Sequence, residues 1–310
     1  MHPPVRLVAI DMDGTLLSTA MDGVRLGIQE QAVSGRTARA LRAAQAAGIT
    51  LVIATGRRTN YCAPLLTGLD LRADTPLITS NGAVTRTLGG QPLGHCHLEA
   101  RVARALCGLL RGFGTLVFTF DRPGKGELVL EDFEQAHQRI TVWVNANRDA
   151  IEIVQPLEEA LERGQDPIQG MVAGSLDRMR AAEKAVKASH WHAHCECVRT
   201  EYPARDLSIL DLMPPGVSKG WAFERLATRL GIDREETMAI GDNWNDVDML
   251  EWAAQGILMG NAAADLKTMA RLRGWKQAPT NDEEGVAVIL ERLVEKQGAV
   301  APAGATEPLR

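Results

Sequence analysis

The sequence predicts an α/β protein: a doubly wound, mainly parallel sheet interrupted by an inserted α+β module. Three observations point there. Short apolar runs alternate with capped helical segments in both terminal thirds of the chain. Several of those runs stop abruptly on Asp, Thr or Asn beside a glycine. The middle of the chain loses that rhythm.

The elements follow in order. Val5-Arg6-Leu7-Val8-Ala9-Ile10 is β-branched and apolar and ends at Asp11, as a buried parallel strand does. Residues 34–48 open on Ser34, run through Ala and Leu, and close on Gly48, a helix with both stop signals. Residues 49–54 form a second apolar strand ending at Thr55-Gly56-Arg57, and Leu77-Ile78-Thr79 a third, ending at Ser80-Asn81-Gly82. The pattern resumes with a capped helix at 218–231, a strand at 237–240, a helix at 246–254 and a strand at 256–259. Both ends of the chain therefore complete one Rossmann-like core, assigned to residues 1–82 and 214–297. In such folds active groups gather outside the carboxyl ends of the strands, where Asp11, Thr55, Asn81 and Asp242 all fall.

Residues 83–213 read as the insert. Short alternating runs at 115–120, 127–130, 151–154, 171–173, 197–200 and 207–212 mix with helices near 99–111 and 175–189. Pro214-Pro215-Gly216 marks the return to the core. Residues 298–310, rich in Ala, Pro and Gly, are expected to be disordered.

Composition bounds the function. At 310 residues and 45% hydrophobic the chain can bury two cores. A net charge of −5 gives no electrostatic support for binding nucleic acid or an anionic membrane. Aromatic content of 4% argues against base-stacking platforms. No apolar run approaches the roughly 20 residues that span a bilayer. Met1-His2-Pro3-Pro4 has neither the charged nor the apolar region of a signal peptide, and the odd number of cysteines has no framework spacing. A cytoplasmic protein with reduced thiols is expected.

The chemistry lies at the strand ends. Asp11-Met12-Asp13-Gly14-Thr15 places two carboxylates on one turn, which Gly14 lets close tightly. Near a phosphate such a pair repels substrate unless a hard dication such as Mg²⁺ neutralises it. Alone, this pair is equally a strand-end turn in which Asp caps backbone groups. Gly241-Asp242-Asn243-Trp244-Asn245-Asp246 adds a second acidic group after another strand, although Asp246 suits a helix cap equally well. Lys219, near a helix start, supplies a mobile cation, and Thr55 and Gly56 offer a hydroxyl and backbone N–H groups for an anion. Arg57 fits either substrate contact or a structural ion pair.

In this order, DMDGT, ATGR, SKG and GDNWND closely resemble the haloacid dehalogenase-like superfamily, and the insert looks like the large α/β cap of its Cof-type branch. Further echoes are Ser80-Asn81-Gly82-Ala83, Met259-Gly260-Asn261-Ala262 and Asn281-Asp282-Glu283-Glu284-Gly285. The resemblance implies a Mg²⁺-dependent phosphatase acting on a small phosphorylated metabolite, such as a sugar phosphate, under a closing cap. It implies Asp11 as nucleophile, Asp13 as acid and base, and Thr55, Gly56, Lys219 and Asn245 on the phosphate or substrate. It implies metal binding by the Asp11 carboxylate, the Asp13 carbonyl and Asp242, with Asp246 orienting metal waters or Lys219. A phosphomutase needs the same first step, so the motifs leave that alternative open; a non-enzymatic binding protein ranks last, because Asp11, Asp13, Lys219 and Asp242 are all present.

Two features stand apart. The connection from 17 to 34 is longer than usual in that branch. The run His190-Trp191-His192-Ala193-His194-Cys195-Glu196-Cys197, like His95-Cys96-His97, contains zinc-ligand types but no usual finger spacing. A half-exposed strand leading out of a helix is the preferred reading.

Overall fold

The computed structural model describes residues 3–17, 33–132 and 141–300. The chain begins with β1 (Leu7–Asp11), α1 (Gly35–Ala46), β2 (Thr50–Ala54), α2 (Thr59–Leu66) and β3 (Pro76–Thr79). The hairpin β4 (Val84–Thr87) and β5 (Pro92–His95) follows. Next come α3 (Ala100–Leu110), β6 (Leu116–Thr119), β7 (Leu128–Leu130), α4 (Thr141–Ala146), β8 (Ile151–Ile153), β9 (Gln169–Gly174) and α5 (Leu176–Ala188). Two long strands, β10 (Glu196–Tyr202) and β11 (Leu207–Met213), lead back to α6 (Lys219–Leu230), β12 (Thr237–Gly241), α7 (Val247–Trp252) and β13 (Gln255–Leu258). The chain closes with α8 (Ala264–Arg273), β14 (Lys276–Gln277) and α9 (Gly285–Val300).

Two sheets result. The core sheet runs β14-β13-β12-β1-β2-β3-β4-β5, parallel from β14 to β3. Strand order reverses beside β1, which pairs with β2 on one side and β12 on the other. The crevice at that reversal, outside the carboxyl ends, is where ligands bind in open α/β sheets.

Alternation along β1 splits its side chains between two layers. Val8 and Ile10 join the cluster with Leu41 of α1 and Leu290 of α9. Leu7 and Ala9 join the cluster with Phe223 of α6 and Leu250 of α7. Helix termini are sealed locally: Ser34 Oγ accepts from Thr37 N at 3.1 Å, and Ser218 Oγ from Trp221 N at 3.1 Å.

The second sheet runs β10-β11-β9-β6-β7-β8 and is antiparallel except where β7 meets β8. One face packs α3 and α5 through Leu106, Phe118, Met179 and Leu210. Its polar side chains meet the core at the carboxyl edge of the first sheet, where Glu127 faces Arg58 and Asp211 faces Asn81.

Three expectations need amending. The insert was expected to start at residue 83, yet β4 and β5 extend the core sheet and the second sheet starts only at β6. The tight turn at Ser80–Gly82 returns the chain antiparallel to β3, with Thr79 opposite Val84. His190–His194 form a 3-10 turn that ends α5, and the strand begins only at Glu196. Ser189 caps that turn, its Oγ accepting from Trp191 N at 3.2 Å. Helix α9 extends to Val300, so residues 298–300 are helical, while 301–310 lie outside the described residues. Most of the 17–34 connection, residues 18–32, also lies outside them. Among the described residues no helix is long and apolar enough to cross a membrane.

Candidate active site

Strand β1 delivers Asp11 to the crevice, and the chain then turns sharply: Leu16 N bonds Asp11 O at 3.3 Å and Leu17 N bonds Met12 O at 2.7 Å. Gly14 makes this possible. Its φ is +83°, and a Cβ there would lie 2.4 Å from Asp242 Oδ2. The first acidic turn therefore packs directly on the carboxylate that follows β12.

Lys219 enters from the first turn of α6 and is fully buried. Its ammonium lies 2.5 Å from Asp11 Oδ1 and 2.8 Å from Asp246 Oδ1. The other Asp246 oxygen accepts from the backbone N–H groups of Asp242 and Asn243, each at 3.0 Å. Asp246 thus closes its own loop and holds the lysine; it caps from the third position of the short turn Trp244–Asp246, where Asn243 is the N-cap, and its side chain makes no cap bond to α7. Gly241 is required for this fit, since a Cβ there would sit 2.6 Å from Asp246 Cβ.

Asp242 is fastened differently. Thr15 Oγ1 donates to its Oδ1 at 2.9 Å, and Asn261 Nδ2 donates to its Oδ2 at 3.3 Å and to Gly14 O at 2.8 Å. Asn281 N in turn donates to Asn261 Oδ1 at 3.1 Å. The two echoes containing Asn261 and Asn281 therefore brace the acidic turns. Their placement in the chain was the available signal; no role was legible from it.

One oxygen from each of Asp11, Asp242 and Asp246 can be chosen so that all lie within 4.8 Å of one another. Burial is the largest influence on Asp11, joined by Asp246 and only partly offset by Lys219, and its carboxyl is pushed up to about 7. Asp242 is also raised well above the usual carboxylate range, first by burial and then by Asp11 and Asp246. Burial alone would depress Lys219, but Asp11 and Asp246 outweigh it and hold the ammonium above its ordinary range. One lysine therefore leaves this acidic cluster under-compensated. The donor set, all hard oxygens with lone pairs left on Asp11 and Asp242, suits a hard divalent cation.

The remaining predicted residues line the other wall. Arg57 grips Asp13 through both carboxylate oxygens, Nε lying 2.7 Å from Oδ2. The structural ion pair is thus realised for Arg57, and Asp13 stands apart from the three-carboxylate cluster. Thr55 is fully buried and its Oγ1 accepts from Arg57 N at 3.1 Å. Gly56 lies against the Asn81 carboxamide, which a Cβ would approach to 3.1 Å. Asn245 Nδ2 donates to Asn81 Oδ1 at 3.1 Å.

The second sheet contributes residues that sequence reasoning did not single out. Asn243 clasps the backbone of β10: Glu201 N donates to its Oδ1 at 2.9 Å, and its Nδ2 donates to Glu201 O at 2.8 Å. Tyr202 follows at once, its phenol raised above its ordinary range by burial first and by Asp13 and Asp242 next. Arg58 pairs with Glu127 and Asn147, and Asn60 donates to Glu127 at 3.0 Å.

Residues 8–290 match the haloacid dehalogenase-like hydrolase family. Phosphatase YwpJ of Bacillus subtilis is 30% identical over 94% of this chain and all of its own length. The 5-amino-6-(5-phospho-D-ribitylamino)uracil phosphatase YwtE of the same organism is 27% identical over 95% of this chain and all of its own. The fold is also that of the solved structure of the HAD subclass IIB sugar phosphatase BT4131, with a TM-score of 0.71, 23% identity, and coverage of 93% of this chain and 98% of that one. With its four motifs gathered at one sheet edge beneath an α/β insert, the chain belongs to the haloacid dehalogenase-like hydrolases, as a phosphatase of their Cof-type branch.

Proposed function

We propose that this phosphatase hydrolyses a small organic phosphate, such as a sugar phosphate, by a Mg²⁺-dependent route through an aspartyl-phosphate on Asp11. The observation that carries the reading is the buried Asp11–Lys219–Asp246 contact, with Asp242 close enough to share a cation with Asp11.

Each step follows from what these residues can do. Asp11, at the strand end, attacks phosphorus through one carboxylate oxygen as the bond to the leaving oxygen breaks. Lys219 stabilises charge on the transferring oxygens, and Thr55 with the Gly56 backbone binds them from the opposite wall. Asn245 makes a further contact with the phosphate or substrate. Asp13 gives a proton to the departing alkoxide and then takes one from the water that cleaves the acyl phosphate, which frees phosphate and restores Asp11. Substrate phosphate competes with Asp13 for Arg57, which releases Asp13 for this exchange. The Asp11 carboxylate, the Asp13 carbonyl and Asp242 would hold the Mg²⁺, with Asp246 fixing Lys219 behind them. That ion, when bound, neutralises the acidic cluster and withdraws charge from the phosphoryl oxygens.

The names of two similar proteins, one acting on a phosphoribitylamino compound and one a sugar phosphatase, support a phosphorylated polyhydroxylated substrate. All five cysteines are unpaired, which supports a reducing, cytoplasmic setting.

The test is hydrolysis of 4-nitrophenyl phosphate with and without Mg²⁺, alongside Asp11→Asn. Turnover should require the ion and fall in the variant by at least about 10³-fold. Unchanged turnover in Asp11→Asn would sink the mechanism. A hexose monophosphate then separates the outcomes, free phosphate for hydrolysis and a positional isomer for a mutase.

A further inference from the structure

We propose that Asp211, on the second sheet, is a positioning residue that orients Asn245 and the Thr55–Gly56 turn through the carboxamide of Asn81. The inference rests on the role given above to Asn245 and Thr55.

Asp211 lies in β11, on the strand that leads from the second sheet back towards Lys219, and is 5% exposed. It presents two acceptor oxygens to buried amides. Asn81 Nδ2 donates to one at 2.8 Å and Gln169 Nε2 to the other at 3.2 Å. A carboxamide has a donor end and an acceptor end, and an acceptor at Asp211 selects which way Asn81 faces. Its NH₂ turns to Asp211, so its oxygen turns to Asn245, which donates to it at 3.1 Å. That in turn directs the Asn245 NH₂ to Asn81 and leaves the Asn245 oxygen facing away from this chain of bonds.

Asn81 also holds the opposite wall. Its backbone N–H bonds Thr55 O at 3.1 Å, and that of Ser80 bonds Arg57 O at 2.8 Å. Both residues adopt the left-handed region, at φ +48° for Ser80 and +49° for Asn81. That conformation is disfavoured for side chains other than glycine, so the surrounding contacts must hold it. Gly56 completes the arrangement, because a Cβ there would crowd the Asn81 carboxamide at 3.1 Å. One buried amide thus touches both phosphate-binding loops, and the group that fixes its direction comes from the insert. Asp211 touches no reacting atom in this scheme.

The test uses the full chain and steady-state hydrolysis of 4-nitrophenyl phosphate, with inorganic phosphate as competitive inhibitor. In Asp211→Ala both KM and the phosphate inhibition constant should rise about tenfold. Asp211→Asn keeps an acceptor for Asn81, and a turn of the Gln169 carboxamide brings its Oε1, which has no hydrogen-bond partner among the described residues, to accept from the new NH₂, so the variant should stay within about threefold of wild type. On an Asn245→Ala background the alanine change should cost clearly less than it does alone, since part of its effect passes through Asn245. A Tm loss in Asp211→Ala with an unchanged phosphate constant would show a merely structural role and overturn the proposal. So would an asparagine variant as impaired as the alanine one, or full additivity with Asn245→Ala. If Asp211→Ala does not fold, Asp211→Ser, too short to reach Asn81, takes its place with the same expectations. Wild-type turnover in Asp11→Asn defeats the reading of the site itself; an inactive Asp11→Asn beside an unaffected Asp211→Ala defeats this inference alone.

Discussion

The edge of the core sheet and the polar face of the insert above it are both rich in buried charge, but they assemble it differently. On the core, each acidic group sits on a turn directly after a parallel strand: Asp11 ends β1, and Asp242 follows β12. The turns brace one another through Lys219 and Thr15, so the acidic groups are fixed by the sheet's own topology. On the insert, the polar groups reach across to the core instead, Glu127 to Arg58, Asp211 to Asn81 and the Glu201 backbone to Asn243. The difference separates two tasks. Under the proposed function, the core would hold the reacting groups whatever the substrate is, and the insert would determine how the site is covered and aligned.

The contrast can be broken hardest at Lys219. Lys219→Ala leaves the Asp11 and Asp246 carboxylates buried without their shared ammonium. Turnover of an aryl phosphate should fall at least about 10²-fold, and chemical denaturation should show a loss of about 3–5 kcal/mol. Retained stability would mean that the lysine does not hold the cluster together. Gly14→Ala probes the same wall without touching a charge. Its Cβ would collide with Asp242 and its backbone conformation is unfavourable for alanine. The Mg²⁺ concentration giving half-maximal turnover should rise about tenfold or more, as when a metal ligand's support is removed. An unchanged Mg²⁺ titration would remove Asp242 from the metal site.

Changes on the insert should be gentler and of another kind. Glu127→Gln removes the charge that faces Arg58 across the two sheets. We expect KM for a bulky phosphate ester to change about fivefold to tenfold while kcat for the aryl phosphate stays within about twofold. An equal fall in kcat for both substrates would place Glu127 among the reacting groups.

The smallest effect on turnover is expected at Asp211→Asn, whose signature lies in stability. Burial is the largest influence on this carboxyl, only partly offset by Asn81 and Lys219, and pushes it up to about 7. The folded state therefore keeps a proton that the unfolded chain has released. Stability from this group falls as pH rises from about 4 to about 7 and is level above that, with a total of up to ~4 kcal/mol. Asp211→Asn should lose that component, gaining on the wild type as pH rises from 5 to 8 in urea titrations. Parallel pH profiles for the two proteins would refute the assignment.

How far the sequence carried can be judged residue by residue. Asp11, Asp242, Asp246 and Lys219 were legible because each lies beside an apolar run or a helix cap, features that depend on neighbours in the chain. The three acidic residues meet as a cluster because the parallel strand order brings the carboxyl ends of β1 and β12 side by side. The hairpin β4–β5 escaped because its short alternating strands read the same whether they extend the core or begin the insert. Only the pairing of β4 with β3 decides that. His190–His194 escaped because alternation over so few residues does not distinguish a strand from a cap-stabilised turn.

By itself, the sequence determined the doubly wound core and the presence of an inserted module, and it put candidate carboxylates and a lysine at strand and helix ends. It could do so because strand periodicity, caps and strand-end turns are written over a few adjacent residues. The joint assignment of those groups to phosphatase motifs rested on the resemblance of the ordered motifs to a known family. Only the tertiary structure decided that Arg57 holds Asp13, that Asn261 and Thr15 hold Asp242, and that Asp211 reaches Asn81. Those pairs join residues far apart in the chain. Their bonds exist because burial removes water as a competing partner, and each buried donor or acceptor must then be matched by whatever the packing brings beside it.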